Sequence, residues 1–224
     1  MNNEKSAELA SPFAEDQDTY WHTTTHIMAQ AVCRLFPNAR YAIGPTIDEG
    51  FYYDFDVGRN FLPEDMQKIE EEMKKIVEEN LTVEHMSWTK GEAVDFFEKK
   101  GQAFKVELIR DLAADEVSIY RQGEFTDLCR GPHLKRTGLV RHFKLLTFAG
   151  AYWRGNEKRD RLQRIYGISY QDKKNLSEFV RRREEAERRD HRRLGVDLDL
   201  FSMDETIGGG LVLYHPKGSA MRMA

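Results

Sequence analysis

The sequence predicts an α+β protein in which helices pack on mixed and antiparallel sheets, followed by a long linker helix. Three observations carry this prediction. Residues 63–79 repeat apolar side chains at helical spacing behind Pro63. Residues 117–170 read as short β runs separated by glycine- and proline-bearing turns. Residues 172–194 form a charged stretch with only a thin apolar stripe. The chain has 224 residues, 40% of them hydrophobic and 32% charged, enough for a packed core beneath a heavily charged surface. No apolar run approaches the ~20 residues of a membrane helix, and the N-terminus lacks the basic and apolar regions of a secretory signal. Cys33 and Cys129 are the only cysteines, which argues against a disulfide framework and leads us to expect a cytoplasmic protein.

Residues 1–18 are polar and acidic and are expected to be a flexible tail. A first helix is expected over 19–36, with Asp18 or Thr19 as its N-cap and Ile27, Met28, Ala31, Val32, Leu35 and Phe36 as its apolar stripe. Residues 39–44 and 51–56 flank a turn-rich segment and read as a hairpin, in which Tyr52 and Tyr53 face opposite ways. The helix at 63–79 starts with Pro63, Glu64 and Asp65, all suited to a helix N-terminus. Its seam is Met66, Ile69, Met73, Ile76 and Val77, and its acidic face reads as solvated. A strand at 81–88 follows, then helices at 90–99 and 105–114. Strands are expected at 117–121, 124–128, 143–148, 151–154 and 162–170. One continuous helix is expected over 172–194, ended by Gly195, and a last strand over 211–214. These elements divide the chain into a tail (1–18), a main domain (19–170), a linker helix (171–195) and the start of a second domain (196–224).

Two short pairs of residues carry the chemistry. His22 and His26 stand one helical turn apart, and Cys129 and His133 repeat that spacing in Asp127-Leu128-Cys129-Arg130-Gly131-Pro132-His133. Gly131 and Pro132 argue against a helix there, so the second pair is expected on a turn at a strand end. Brought together, the four are a tetrahedral zinc set or, without metal, a place to handle protons. A closed four-ligand set is equally the mark of a structural zinc site, and His-x₃-His alone is often coincidence. Asp127, two residues before Cys129, shares its face in extended chain. Cys33 lies about 10 Å beyond His26 along a helix and reads as a buried structural thiol. His85, His142, His191 and His215 have no partner at ligand spacing, and Lys105 reads as an ordinary solvent-facing helix lysine.

Net charge is −4, yet residues 135–164 hold nine Lys and Arg against Glu157 and Asp160. Such a segment is a footprint for phosphates or simply a solvated face, and composition favours the second.

From residue 20 onward the chain resembles bacterial threonyl-tRNA synthetases. The carriers are His22-Thr23-Thr24-Thr25-His26, Tyr41-Ala42-Ile43-Gly44-Pro45, Gly50-Phe51-Tyr52-Tyr53-Asp54, Lys105-Val106-Glu107-Leu108-Ile109, the segment 127–133, Leu162-Gln163-Arg164-Ile165-Tyr166-Gly167, Asp190-His191-Arg192-Arg193-Leu194-Gly195 and Tyr214-His215-Pro216-Lys217-Gly218. The histidine and cysteine pairs alone also resemble alanyl-tRNA editing proteins; the later segments favour the threonyl family. The resemblance implies the threonyl/alanyl editing-domain fold for 19–170, then the linker helix and the beginning of a class II aminoacylation core. It implies hydrolysis of seryl-tRNA made in error on threonine tRNA, with tRNA as partner.

The resemblance also assigns roles. His22 would position or deprotonate water, Lys105 would stabilise the departing ribose oxygen, and Asp127 would hold the substrate ammonium. His26, Cys129 and His133 would shape the pocket, and Tyr53 would contact substrate. His22→Ala and Lys105→Ala are each expected to slow deacylation without unfolding the domain. Editing in this family needs no metal, whereas the alanyl relatives hold zinc with the same four residues, so zinc at His22, His26, Cys129 and His133 is the alternative. A non-catalytic tRNA-binding module is another. The family's small N-terminal ubiquitin-like domain has no counterpart in residues 1–18, and Thr23 stands where the family often has serine. The ATP-binding motifs, the catalytic zinc ligands and the anticodon-binding domain are expected to be missing too. The full-length parent would be a homodimeric ligase that uses ATP and zinc; this piece is expected to be a monomer without ligase activity.

Overall fold

The computed structural model describes residues 14–203, 208 and 210–223. It contains two compact units, Met1–Leu176 and Ser177–Ala224. None of its described helices is long and apolar enough to cross a membrane.

The first unit is built around helix α1, Ala14–Leu35. The sequence predicts one apolar stripe for this helix. In the structure every residue from Thr23 to Val32 is buried, because the helix is covered on several sides. The hydroxyls of Thr23, Thr24 and Thr25 survive burial by donating back to the carbonyls of Thr19, Tyr20 and Trp21 at 2.8–2.9 Å. The helix also starts earlier than the expected cap at 18 or 19. Its first turns are held by tertiary bonds: Gln17 Nε2 and the Trp21 indole both donate to Ser169 O, at 2.9 and 2.8 Å. Residues 14–18 are therefore helical. The rest of the expected tail lies outside the described residues.

One sheet against α1 combines β1 (Arg40–Tyr41), β2 (Thr46–Ile47), β3 (Gly50–Asp56), β7 (His142–Tyr152) and β8 (Arg161–Tyr170). All its pairings are antiparallel, in the order β1-β3-β8-β7 with β2 also on β3. The two strands expected at 143–148 and 151–154 are one strand, β7, whose register slips between Leu145 and Thr147. A second, three-stranded antiparallel sheet runs β4 (Val83–Thr89), β5 (Glu116–Gln122), β6 (Phe125–Leu128). Helix α2 (Pro63–Glu79) packs on α1 through Ile69, Met73 and Ile76, as its seam requires. Its acidic side is not simply solvated. Asp65 is buried against Arg59, and Glu72 is bonded by Arg34 and Lys75. Helices α3 (Lys90–Lys99) and α4 (Ala103–Asp111) follow, and Thr89 caps α3 by accepting from Glu92 N.

The long helix expected over 172–194 is two helices, α5 (Lys173–Arg188) and α6 (His191–Asp197). Asp190 breaks it by capping α6, its side chain accepting from Arg192 N at 2.7 Å. Gly195 does not end a helix; it lies inside α6, where an added Cβ would sit 2.4 Å from the Phe201 ring. A hairpin of β9 (Phe201–Met203) and β10 (Val212–Tyr214) and the helix α7 (Pro216–Met223) complete the second unit.

Candidate active site

The two pairs meet. Helix α1 brings His22 and His26 to one side, and the loop after β6 brings Cys129 and His133 to the other. The four donor groups lie within 4.8 Å of one another. Cys129 Sγ is 3.0 Å from His22 Nε2 and 3.1 Å from His133 Nε2. A thiol carries one proton, so it donates to one imidazole and accepts from the other. The loop is fixed by Cys129 N donating to Ser118 O (3.1 Å) and Leu134 N donating to Thr23 Oγ1 (2.8 Å). It contains a cis Gly131-Pro132 bond, and Gly131 has φ +70° and leaves no room for a Cβ against Tyr120 Oη.

Beside this cluster is a buried ion pair. Lys105 Nζ, from α4, stands 2.5 Å from Asp127 Oδ1, with both side chains at most 3% exposed. Asp127 Oδ2 accepts from Tyr53 Oη at 2.6 Å and lies 3.3 Å from His26 Nε2. The Lys105 ammonium also lies 5.4 Å from the ring centres of Tyr41 and Tyr53. The strand alternation thus sends Tyr53 inward. Tyr52 stays on the opposite face, with the Arg164 guanidinium over its ring at 3.7 Å.

A cavity of about 770 Å³ opens onto these groups. His22, His26, Lys105, Asp127 and Cys129 line it, together with Asp18, Glu116 and Arg130 and an apolar wall that includes Ile43, Leu108 and Val117. Its size is that of a small-molecule site. His133 and Tyr53 are not on the wall. His133 is packed behind it, against the rings of His22 and His26 at 4.3 and 4.1 Å. Tyr53 reaches the site through Asp127, to which it donates, and through its ring beside the Lys105 ammonium.

Burial sets the protonation of the cluster. It lowers the pKa of His22, against the opposing pull of Asp127 and Asp18. It lowers His26 well below the ordinary value, with neighbouring imidazoles adding to the effect, and takes His133 down to about 2. It pushes the Cys129 thiol up to about 12, with Asp127 reinforcing the shift. The result is three neutral imidazoles and a protonated thiol. A neutral imidazole on a cavity wall can accept a proton from water.

The donor set has the composition of a zinc site, and His26 Nδ1 is buried with no hydrogen-bond partner. His26 Nε2 faces Asp127, so Nδ1 is the nitrogen left open to a metal, on an imidazole oriented by a carboxylate. One feature runs the other way: the Lys105 ammonium, paired to that same carboxylate, puts a competing cation beside the cluster. The residues could hold zinc if the thiol were deprotonated.

The sequence of α4 alone places Lys105 in solvent; its partner comes from a different element. Sequence reasoning also misses Asp18, although Asp18, His22 and His26 follow one another at four-residue steps. Cys33 stays out of the cluster, its thiol pushed up to about 12 by burial, and it lines a separate, smaller cavity.

Residues 117–166 match the model of the threonyl and alanyl tRNA synthetase second additional domain. This stretch includes Asp127, Cys129 and His133; His22, His26, Tyr53 and Lys105 lie outside it. The chain is 54% identical over 201 residues to a threonine--tRNA ligase of Citrifermentans bemidjiense, covering 90% of this chain and 32% of that protein. A threonine--tRNA ligase of Carboxydothermus hydrogenoformans is 54% identical over 209 residues, 93% of this chain and 33% of its own length. One from Caldanaerobacter subterraneus is 51% identical over 223 residues, 98% of this chain and 34% of its own. The chain thus spans about a third of the length of these relatives.

Proposed function

This chain is a relative of the threonyl-tRNA synthetases over nine-tenths of its length, and from that premise we propose that it hydrolyses the ester of seryl groups attached in error to threonine tRNA. The observation that carries this reading is the convergence of the neutral His22 imidazole and the Lys105–Asp127 pair on one ligand-sized cavity. The need for such a site is physical. Serine lacks one methyl group of threonine, and a contact of that size discriminates by only about 10–200-fold in a first binding site. A second pocket that admits only the smaller product removes the error.

In the proposed reaction His22 takes a proton from a water molecule. The water oxygen bonds to the seryl carbonyl carbon, the bond from that carbon to the ribose oxygen breaks, and the Lys105 ammonium supplies a proton to the leaving oxygen. The products are serine and tRNA with a free ribose hydroxyl. Asp127 takes a different part from the one its resemblance suggests. Lys105, Tyr53 and His26 already engage its oxygens, so it orients Lys105 and His26 instead of gripping the substrate ammonium. Asp18, a carboxylate on the wall without a hydrogen-bond partner among the described residues, is the better placed group for that ammonium. Tyr53 holds Asp127, His26 and Cys129 set the pocket's shape and exclude the extra methyl, and His133 supports both from behind the wall. The ligation for which the relatives are named is assigned, on the same premise, to the remainder of their length.

The second reading is zinc-dependent hydrolysis, favoured by the four converging donors. A bound zinc ion would polarise the ester carbonyl and acidify water. The Lys105 cation held beside the cluster favours the metal-free form. Deacylation of seryl-tRNA after chelation tests the choice: retained activity is expected, and loss restored by zinc would select the second reading. A non-catalytic tRNA-binding role would instead give salt-sensitive tRNA binding with no ester cleavage.

A further inference from the structure

We propose that Arg130, Lys135 and Arg141 form a phosphate-binding track along which the single-stranded end of an RNA enters the cavity. This rests on the reading of the site as one that takes an RNA-linked ester.

The structure sorts the basic segment into paired and unpaired charge. Lys144 pairs with Glu70, Arg154 with Glu107 and Asp111, Arg159 with Glu107, and Arg164 with Asp54. These cations serve the fold. Arg136 is committed to Asn80, through its side-chain oxygen and its carbonyl. Lys158 and Arg161, also exposed and without a carboxylate partner among the described residues, lie at the β7–β8 end; on the segment that leaves the cavity wall, Arg130, Lys135 and Arg141 are exposed and likewise without a carboxylate partner.

Their placement relates them to the site. Arg130 is on the cavity wall. From there the chain passes Leu134, whose N–H donates to Thr23 Oγ1, and Lys135, whose carbonyl accepts from Val83 N. It reaches Arg141, whose N–H donates to Tyr20 Oη at 2.6 Å. The backbone carrying the three cations is thus fixed at several points, two of them on the turns of α1 that lead to His22 and His26. The remaining wall charges narrow the choice. Asp18 and Glu116 repel phosphate, and Lys105 is committed to Asp127. Arg130 is the wall residue left to receive one. A guanidinium at the lip, followed by two further unpaired cations on the same ordered segment, suits successive phosphates of an unpaired strand.

The test uses the 224-residue chain and two substrates: seryl-tRNA, and 3′-O-seryladenosine, which has the ester but no phosphate. The variant combines Arg130→Gln, Lys135→Gln and Arg141→Gln; the control combines Lys68→Gln and Lys74→Gln, exposed on α2. The triple variant is expected to raise KM for seryl-tRNA about tenfold at moderate salt. The slope of log KM against log salt should fall by about 2, since each single-strand phosphate that is no longer neutralised removes roughly 0.7. Turnover of seryladenosine, which offers these cations no phosphate, should fall far less than turnover of seryl-tRNA. An unchanged KM, an equal loss on seryladenosine, or an equal effect of the control would overturn the proposal. If the wild-type chain cleaves neither substrate, the hydrolytic reading fails by itself. Filter binding of uncharged tRNA then decides the track: weakening by the triple variant alone supports it, and unweakened binding overturns it.

Discussion

Lys105 and Asp127 are each other's counter-charge in a place that water scarcely reaches. Removing one leaves the other charge buried and unpaired, so Lys105→Ala is expected to cost about 3–5 kcal/mol of stability, read as a lower urea midpoint. This departs from the sequence-based expectation that the substitution would leave the domain folded, because burial makes Lys105 structural as well as reactive. His22 faces the cavity and has no such charge partner. His22→Ala is therefore expected to slow seryl-tRNA hydrolysis by about 10²–10⁴-fold, with a urea midpoint near that of wild type; a large drop in midpoint would make the histidine a packing residue. Tyr53→Phe removes a hydrogen bond to a buried carboxylate and is expected to cost about 1.5–3 kcal/mol in the same unfolding assay. Of these residues, strand alternation placed Tyr52 and Tyr53 on opposite faces and four-residue spacing marked the histidine and cysteine pairs, but it was the family resemblance, and not local spacing, that singled out Tyr53 and put the two pairs in one pocket. Lys105 was not legible from its helix, because its surroundings, Tyr41, Tyr53 and Asp127, come from distant strands on both sides of it in the chain. His133 was legible as a member of the cluster but not as one packed behind the wall.

Helices whose seams are local were readable almost to the residue: α2 and α3 begin and end where Pro63 and the Thr89 cap place them. Helix α1 was readable as a helix but not as one buried around its circumference, since nothing in its own sequence says that two sheets and α2 will cover it. The break between α5 and α6 turned on one side chain, Asp190, within a run of charge that otherwise favours a continuous helix. Gly195 shows how packing overrides a local stop signal. Gly195→Ala would gain helix propensity of up to about 1 kcal/mol but would drive a methyl into the Phe201 ring. Overpacking of this kind costs about 1–3 kcal/mol, so net destabilisation of the second unit is expected, visible as faster amide exchange in β9 and β10. Between elements, Arg34 of α1 ties together Glu79 of α2 and Glu124 of the β5–β6 turn. Burial raises the Glu124 pKa, but bonds from Arg34 and Gln30 outweigh it and hold the carboxyl at about 2, against an ordinary 4.5. A depressed carboxylate stabilises the fold fully above pH 4.5 and loses that contribution as pH falls toward 2. The Glu124 side chain is 55% exposed, so solvent screens the effect. Wild-type stability should fall across this window, and Glu124→Gln should show a shallower fall; parallel curves would contradict the linkage.

At the scale of the whole molecule, composition gave a net charge of −4 and a basic segment whose meaning was open. The fold pairs Lys144, Arg154, Arg159 and Arg164 with internal carboxylates and leaves Arg130, on the cavity wall, without one. Which charges are paired depends on partners from distant strands and helices, so charge counting along the chain could not separate them. The fold class was legible because each level of the sequence agreed: turn residues, apolar periods and caps. The resemblance to threonine--tRNA ligases became legible through several motifs in fixed order, and 54% identity over 201 residues agrees with it. The most direct measurement is the rate at which the chain, freed of metal by chelation, deacylates seryl-tRNA and threonyl-tRNA made on the same threonine tRNA. The expected result is seryl ester cleavage at least about tenfold faster than threonyl, as exclusion of one methyl group requires, and lost on His22→Ala. Equal rates on the two esters, or full activity without His22, would contradict a pocket built to recognise the seryl group.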